Sequence, residues 1–130
     1  MEKKRILFVD DEESFARMMK LILEESGEYE IMIETRGLRV VDVAKEFKPD
    51  LILLDIVMPD IDGGEVLRKI KAEEKLKNTP LVFLTALVME NEIVSREGVI
   101  SGYPFLAKPV TVDKLMDCIK ENIREMKVGG

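Results

Sequence analysis

The sequence predicts an α/β domain, a doubly wound five-stranded parallel sheet with helices on both faces. Two patterns predict it. Residues 6–9, 51–54 and 81–84 are continuously apolar, as strands covered on both sides require. Between the strands the period changes to that of amphipathic helices. Phe15, Met18, Met19, Ile22 and Leu23 recur at i, i+3, i+4, i+7 and i+8, and Val112, Leu115, Met116, Ile119, Ile123 and Met126 repeat the stripe. The chain therefore reads as five successive β-α units. Parallel neighbours need a crossover helix of right-handed sense, and alternation of this kind places helices on both faces.

Residues 30–34 mix polar and apolar positions, with Glu30 and Glu34 where the other runs are continuously apolar, so the second strand is expected at an edge, which gives the flavodoxin-like order 2-1-3-4-5. Gly27 follows the first helix as its C′ residue, and Asp62 with Glu65 three positions later reads as a capping box opening the third. Within 87–101, Val88, Met89, Ile93 and Val94 suggest a short helix ending near Gly98. Pro104 falls inside the strand that ends at Ala107, which points to an edge or a bulge there. The whole of 1–130 reads as one domain, with 127–130 expected as a flexible tail.

With 130 residues, 46% of them hydrophobic, the chain can bury one core and not two. Its 20 basic and 26 acidic residues leave a net charge of -6, and the only basic cluster is Lys3-Lys4-Arg5, which argues against nucleic acid. No run is long enough for a membrane span or a signal-peptide core, so a cytoplasmic location is expected. The single cysteine, Cys118, reads as a packing residue, and the absence of His excludes an ordinary zinc centre.

Four apolar runs each stop at a residue suited to phosphoryl chemistry: Asp10 with Asp11, then Asp55, Thr85 and Lys108. Ligands of open α/β sheets bind outside the carboxyl ends of the strands, so these groups would share one crevice. Three crowded carboxylates raise one another's pKa values unless a cation intervenes. Oxygen ligands with room for water suit Mg²⁺. Asp55 is the candidate nucleophile toward phosphorus, forming an aspartyl phosphate. Lys108 and the metal would neutralise charge, while the Thr85 hydroxyl and the N–H groups of Ala86 and Ile56 would donate hydrogen bonds. Taken singly, each residue has an ordinary reading: helix cap or turn for an Asp, cap for Thr85, solvated charge for Lys108. It is their joint placement at four strand ends that favours a site.

This set of residues resembles the receiver domain of two-component response regulators across essentially the whole chain. The matching motifs are Asp10-Asp11-Glu12, Asp55-Ile56-Val57-Met58-Pro59 with Asp62-Gly63, Thr85-Ala86, and Lys108-Pro109. The resemblance implies Asp55 as phosphoacceptor and Mg²⁺ bound by Asp11, Asp55 and the Val57 carbonyl, with Asp10 acting through water. It also implies Lys108 as the phosphoryl contact and a switch in which Thr85 moves toward the phosphoryl group while Phe105 turns inward. The implied output is an altered surface of the fourth helix, fifth strand and fifth helix. The donor would be a histidine kinase or histidine phosphotransferase, the output partner is not specified, and a homodimer on phosphorylation is compatible. Such a domain is not an enzyme but a phosphoacceptor that assists its own phosphorylation and dephosphorylation.

Two other readings stand beside it. A receiver-like interaction module independent of phosphate would be expected to lack a key residue. A small aspartyl-phosphate phosphatase usually carries its nucleophile after the first strand with a second Asp two positions later, unlike Asp10-Asp11-Glu12-Glu13. Val57 and Leu87, two residues beyond Asp55 and Thr85, are apolar and cannot orient an attacking water as an acid or amide would. Slow self-dephosphorylation is therefore expected. Rapid loss of phosphate from the purified protein, with no phosphatase added, would contradict it.

Overall fold

The computed structural model describes residues 3–85, 99–100 and 103–129. Its strands are β1 (Lys4–Val9), β2 (Tyr29–Glu34), β3 (Leu51–Asp55), β4 (Leu81–Thr85), β5 (Val99–Ile100) and β6 (Tyr103–Ala107), and their spatial order is β2-β1-β3-β4-β6-β5. The helices are α1 (Glu13–Glu24), α2 (Val40–Phe47) after a 3₁₀ turn at Gly37–Arg39, α3 (Gly63–Lys71) and α4 (Val112–Gly129). Counted as parallel strands alone, the sheet has the expected order 2-1-3-4-5. The helix expected within 87–101 lies outside the described residues, apart from Val99 and Ile100, which form β5. No helix among the described residues is long and apolar enough to cross a membrane.

Strand period divides the core into two layers. Ile6, Phe8, Leu51, Leu53, Val82 and Leu84 pack on one face with Ala16, Met19 and Leu23 of α1 and Leu115, Ile119 and Ile123 of α4. Leu7, Val9, Ile52, Leu54, Leu81 and Phe83 pack on the other with Val40, Ala44 and Phe47 of α2 and Val66 and Ile70 of α3. Truncating any of these fully buried Leu or Ile side chains to Ala would cost roughly 2–5 kcal/mol. Cys118 is half-buried against the first layer, and that burial, followed by the Glu121 charge, pushes its thiol up to about 11.

Three local expectations need amendment. The apolar arc of α1 is wider than the face it buries: Ala16, Met19 and Leu23 meet the sheet, while Met18 is 50% exposed. The strand carrying Pro104 is not the outermost one, because β5 pairs antiparallel with it at Tyr103 and Pro104. Its register with β4 begins at Phe105, so the missing proline N–H falls outside that ladder. At the other end of the chain, α4 continues through 127–129, since 122–128 contain neither Gly nor Pro to stop it. Gly27 adopts the left-handed conformation expected after α1, with φ of 81°, and its N–H bonds the Glu24 carbonyl.

The open edge of the sheet at β2 is covered by side chains. Lys20 Nζ donates to the Ile31 carbonyl at 2.8 Å, and the Ile31 N–H donates to Glu24 Oε2 at 2.9 Å. Lys20 and Glu24, one turn apart on α1, also pair with each other at 3.0 Å. The pair thus occupies backbone groups that would otherwise template another strand. Replacing Glu24 by Ala should lower stability by about 1–2 kcal/mol in urea unfolding and accelerate hydrogen exchange at the Ile31 amide relative to its neighbours; unchanged Ile31 protection would contradict this role.

Candidate functional site

The polar residues emerge where the apolar strands end, and parallel register brings the ends together. Leu54 of β3 is in register with Val9, Asp55 with Leu84 of β4, and Thr85 with Ala107 of β6. Asp10 follows β1 and is fully buried, with both carboxylate oxygens engaged. Its Oδ1 accepts the Glu12 N–H at 2.9 Å, the local turn that its position after a strand favours. Its Oδ2 accepts Lys108 Nζ at 2.6 Å. Asp11 is exposed beside it.

Asp55 is 4% exposed. Its Oδ1 accepts the Val57 N–H at 3.1 Å, and its Oδ2 lies 3.4 Å from Lys108 Nζ. Lys108 also approaches Glu12 Oε1 at 3.7 Å, so its ammonium sits at the centre of three acids. Burial pushes the Asp55 carboxyl up to about 6, reinforced by the Asp10 charge and opposed by Lys108. Burial alone would lower the Lys108 pKa, but its bond and attraction to Asp10, with Asp55 adding to them, hold it above the usual value.

The segment after Asp55 is pinned at both ends. The Gly63 N–H donates to the Ile56 carbonyl at 2.7 Å, and a Cβ at Gly63 would stand 2.8 Å from Ile56 Cα, so only glycine lets α3 start this close behind Asp55. Asp62 caps α3 by accepting the Glu65 N–H at 2.9 Å. The Glu65 carboxylate pairs with Arg68, so only half of the expected capping box forms among the described contacts. Asp60 reaches across to the start of the 3₁₀ turn, accepting the Gly37 and Leu38 N–H groups at 3.2 and 3.0 Å. A bridge spanning 23 residues has no local sequence signal, and the motif reading passed over Asp60 for that reason.

The structure thus unites Asp10, Asp11, Asp55 and Lys108, with buried Thr85 on the adjacent strand and Val57, 54% exposed, at the mouth. Phe105 is half-buried in the α2/α3 layer. By alternation along β4 from Leu81 and Phe83, Thr85 lies on that same face. One expected donor is corrected: the Ile56 N–H bonds the Leu84 carbonyl at 3.0 Å, because the β3–β4 ladder extends one residue past Asp55. Ala86 and Leu87 lie outside the described residues.

The carboxylates of Asp10, Asp11 and Asp55 each place an oxygen within 4.8 Å of the others. One ammonium faces them, and Asp55 is held above its ordinary value first by burial and then by the Asp10 charge. A hard divalent cation fits this all-oxygen donor set, with exposed Asp11 leaving a side open for waters.

Without metal, the buried Asp55 carboxylate destabilises the fold. The carboxyl holds its proton more tightly folded, at about 6, than at the ordinary value of 3.8. Its stabilising contribution is therefore full below pH 4 and is lost as pH rises through 6. In the presence of a chelator, Asp55→Asn should raise stability at pH 7 by on the order of 2–3 kcal/mol and by little at pH 4, read by urea unfolding. An equal gain at both pH values would show that charge is not the cause.

Comparison with known proteins agrees with this geometry. The family model of the response regulator receiver domain matches residues 6–120. The polar-differentiation response regulator DivK of Brucella anthropi is 34% identical over 118 residues, covering 90% of this chain and 94% of that protein. Among solved structures, a CheY-like response regulator receiver domain protein from Methanospirillum hungatei superposes with a TM-score of 0.83 at 29% identity, covering 99% of this chain and 100% of that one. The signal receiver domain of a signal transduction histidine kinase from Syntrophus aciditrophicus gives 0.80 at 31% identity, covering 95% and 92%. With its strand-end acids and lysine assembled at one edge of a 2-1-3-4-5 sheet, the chain belongs to the response regulator receiver domain family.

Proposed function

We propose that this domain is a phosphorylation-dependent signalling switch that accepts a phosphoryl group on Asp55 from a histidine kinase or histidine phosphotransferase. The observation that carries this reading is the placement of Lys108 Nζ, 2.6 Å from Asp10 Oδ2 and 3.4 Å from Asp55 Oδ2, at the carboxyl edge of the sheet. The ammonium stands beside the acceptor while Asp10 anchors it. A phosphoryl group arriving on Asp55 would find a cation within reach.

In the transfer, an Asp55 carboxylate oxygen attacks the phosphorus of a phosphohistidine. The P–N bond breaks, its electron pair goes to the imidazole nitrogen, and an acyl phosphate forms on Asp55. Asp11, Asp55 and the Val57 carbonyl would hold Mg²⁺ directly and Asp10 would do so through water; when bound, the ion supplies charge neutralisation to the phosphoryl oxygens. Lys108 shifts its second contact from Asp55 to a phosphoryl oxygen without leaving Asp10. The Thr85 hydroxyl turns toward the same group, and Phe105, on the Thr85 side of the sheet, moves into the space released. The domain is a signalling domain that turns over only its own phosphoryl group. Its output passes through residues 87–98, β6 and α4 to a partner protein or domain, and phosphorylation favours the state in which these surfaces are altered.

Intact-protein mass after incubation with acetyl phosphate tests the acceptor. A gain of one phosphoryl unit is expected with Mg²⁺, none with a chelator, and none in Asp55→Asn. No gain in the folded, Mg²⁺-binding parent would favour a phosphate-independent interaction module instead.

A further inference from the structure

Lys108 has one neighbour that the site's acid chemistry does not explain. Its ammonium lies over the ring of Phe15, 5.2 Å from the centroid. Phe15 sits in the first turn of α1, three residues beyond Glu12, and is half-buried. Its ring packs against Phe8 of β1, the two centroids 5.9 Å apart in an edge-on arrangement with an interplanar angle of 60°. Phe8 is fully buried beneath the sheet edge, so this support is fixed by the core.

We propose that Phe15 is a positioning residue for Lys108, holding the ammonium over the acidic crevice so that it meets a phosphoryl group formed on Asp55. This rests on the reading of Lys108 as the phosphoryl contact. The two kinds of neighbour act differently. Asp10 and Asp55 accept directed hydrogen bonds from the ammonium at 2.6 and 3.4 Å, so a donor kept to one is withheld from the other, while Glu12 adds only an ion pair at 3.7 Å. An aromatic face attracts a cation through its quadrupole and consumes none of the three N–H donors. The ring also covers the lysine, whose side chain is only 14% exposed, and so limits competition from water. Lys108 is thereby held in place without being tied to Asp55, which it must release when the acceptor oxygens become part of the acyl phosphate. An aliphatic side chain would fill the same space and supply none of this attraction.

The test compares parent, Phe15→Leu, Phe15→Tyr, Lys108→Ala and the Phe15→Leu/Lys108→Ala double variant. Two readouts are used: the rate of Asp55 phosphorylation by acetyl phosphate at saturating Mg²⁺, and the proton shift of the Lys108 Cε methylene by NMR in the unphosphorylated protein. Phe15→Leu should slow phosphorylation roughly three- to tenfold and move the Lys108 resonance toward its solvent-exposed position. Phe15→Tyr, which keeps the ring face, should restore most of both. The double variant should be no slower than Lys108→Ala. Phe15→Met replaces Phe15→Leu if the latter does not fold. A Phe15→Leu rate within about twofold of parent, or a double variant slower than Lys108→Ala alone, overturns the proposal. If Lys108→Ala itself is phosphorylated at the parent rate, the reading of Lys108 falls and takes the inference with it; a loss in Lys108→Ala without one in Phe15→Leu defeats the inference alone.

Discussion

A single ammonium, shared between Asp10 at 2.6 Å and Asp55 at 3.4 Å, is the interaction on which the site depends. Asp10 is fully buried and Asp55 nearly so. Two carboxylates buried this close together call for a counter-ion. Lys108 supplies it from a position 98 residues from Asp10. The contact exists only because β1, β3, β4 and β6 lie side by side with their carboxyl ends aligned. Acidic crevice and sheet topology are thus one constraint seen at two scales.

Rigidity is distributed unevenly around that crevice. Below it, the apolar strands β1, β3 and β4 are packed on both faces by helix side chains. Behind Asp55, the close approach of Gly63 and the Asp60 bridge to Gly37 and Leu38 fix the path of the chain. At the mouth, Asp11 and Val57 are exposed, while burial and then the Asp10 charge hold the Asp55 carboxyl above its ordinary value. A firm floor beneath an open acidic rim suits the proposed acceptance of a phosphoryl group, since the interactions would then be concentrated where the charge arrives.

Most of the framework was legible in the residues. Continuous apolar runs marked three of the inner strands, and the more polar run 30–34, bounded by Glu30 and Glu34, marked the edge strand, because the number of covered faces shapes the pattern. Asp10, Asp11, Asp55 and Lys108 were legible as a set because each terminates such a run and strand ends converge in this topology. The face of α1 was only partly legible: Met18 belongs to the apolar arc, yet the helix is rotated so that Ala16 meets the sheet. Apolar periodicity defines an arc, whereas the burial of one part of it depends on how the helix lies on its neighbours.

Sequence alone determined which groups stand at the strand ends and that those ends form one edge, since local periodicity and the handedness of parallel crossovers leave little freedom. Only the tertiary structure decided what each group touches. The Ile56 N–H was lost to the β3–β4 ladder, Asp60 was recruited to the 3₁₀ turn before α2, β5 was added outside β6, and Phe15 was placed beneath Lys108. These contacts join residues far apart in the chain, or turn on a single residue of ladder length. Their energies are set by distance and orientation in the packed fold, which no local pattern of residue types encodes.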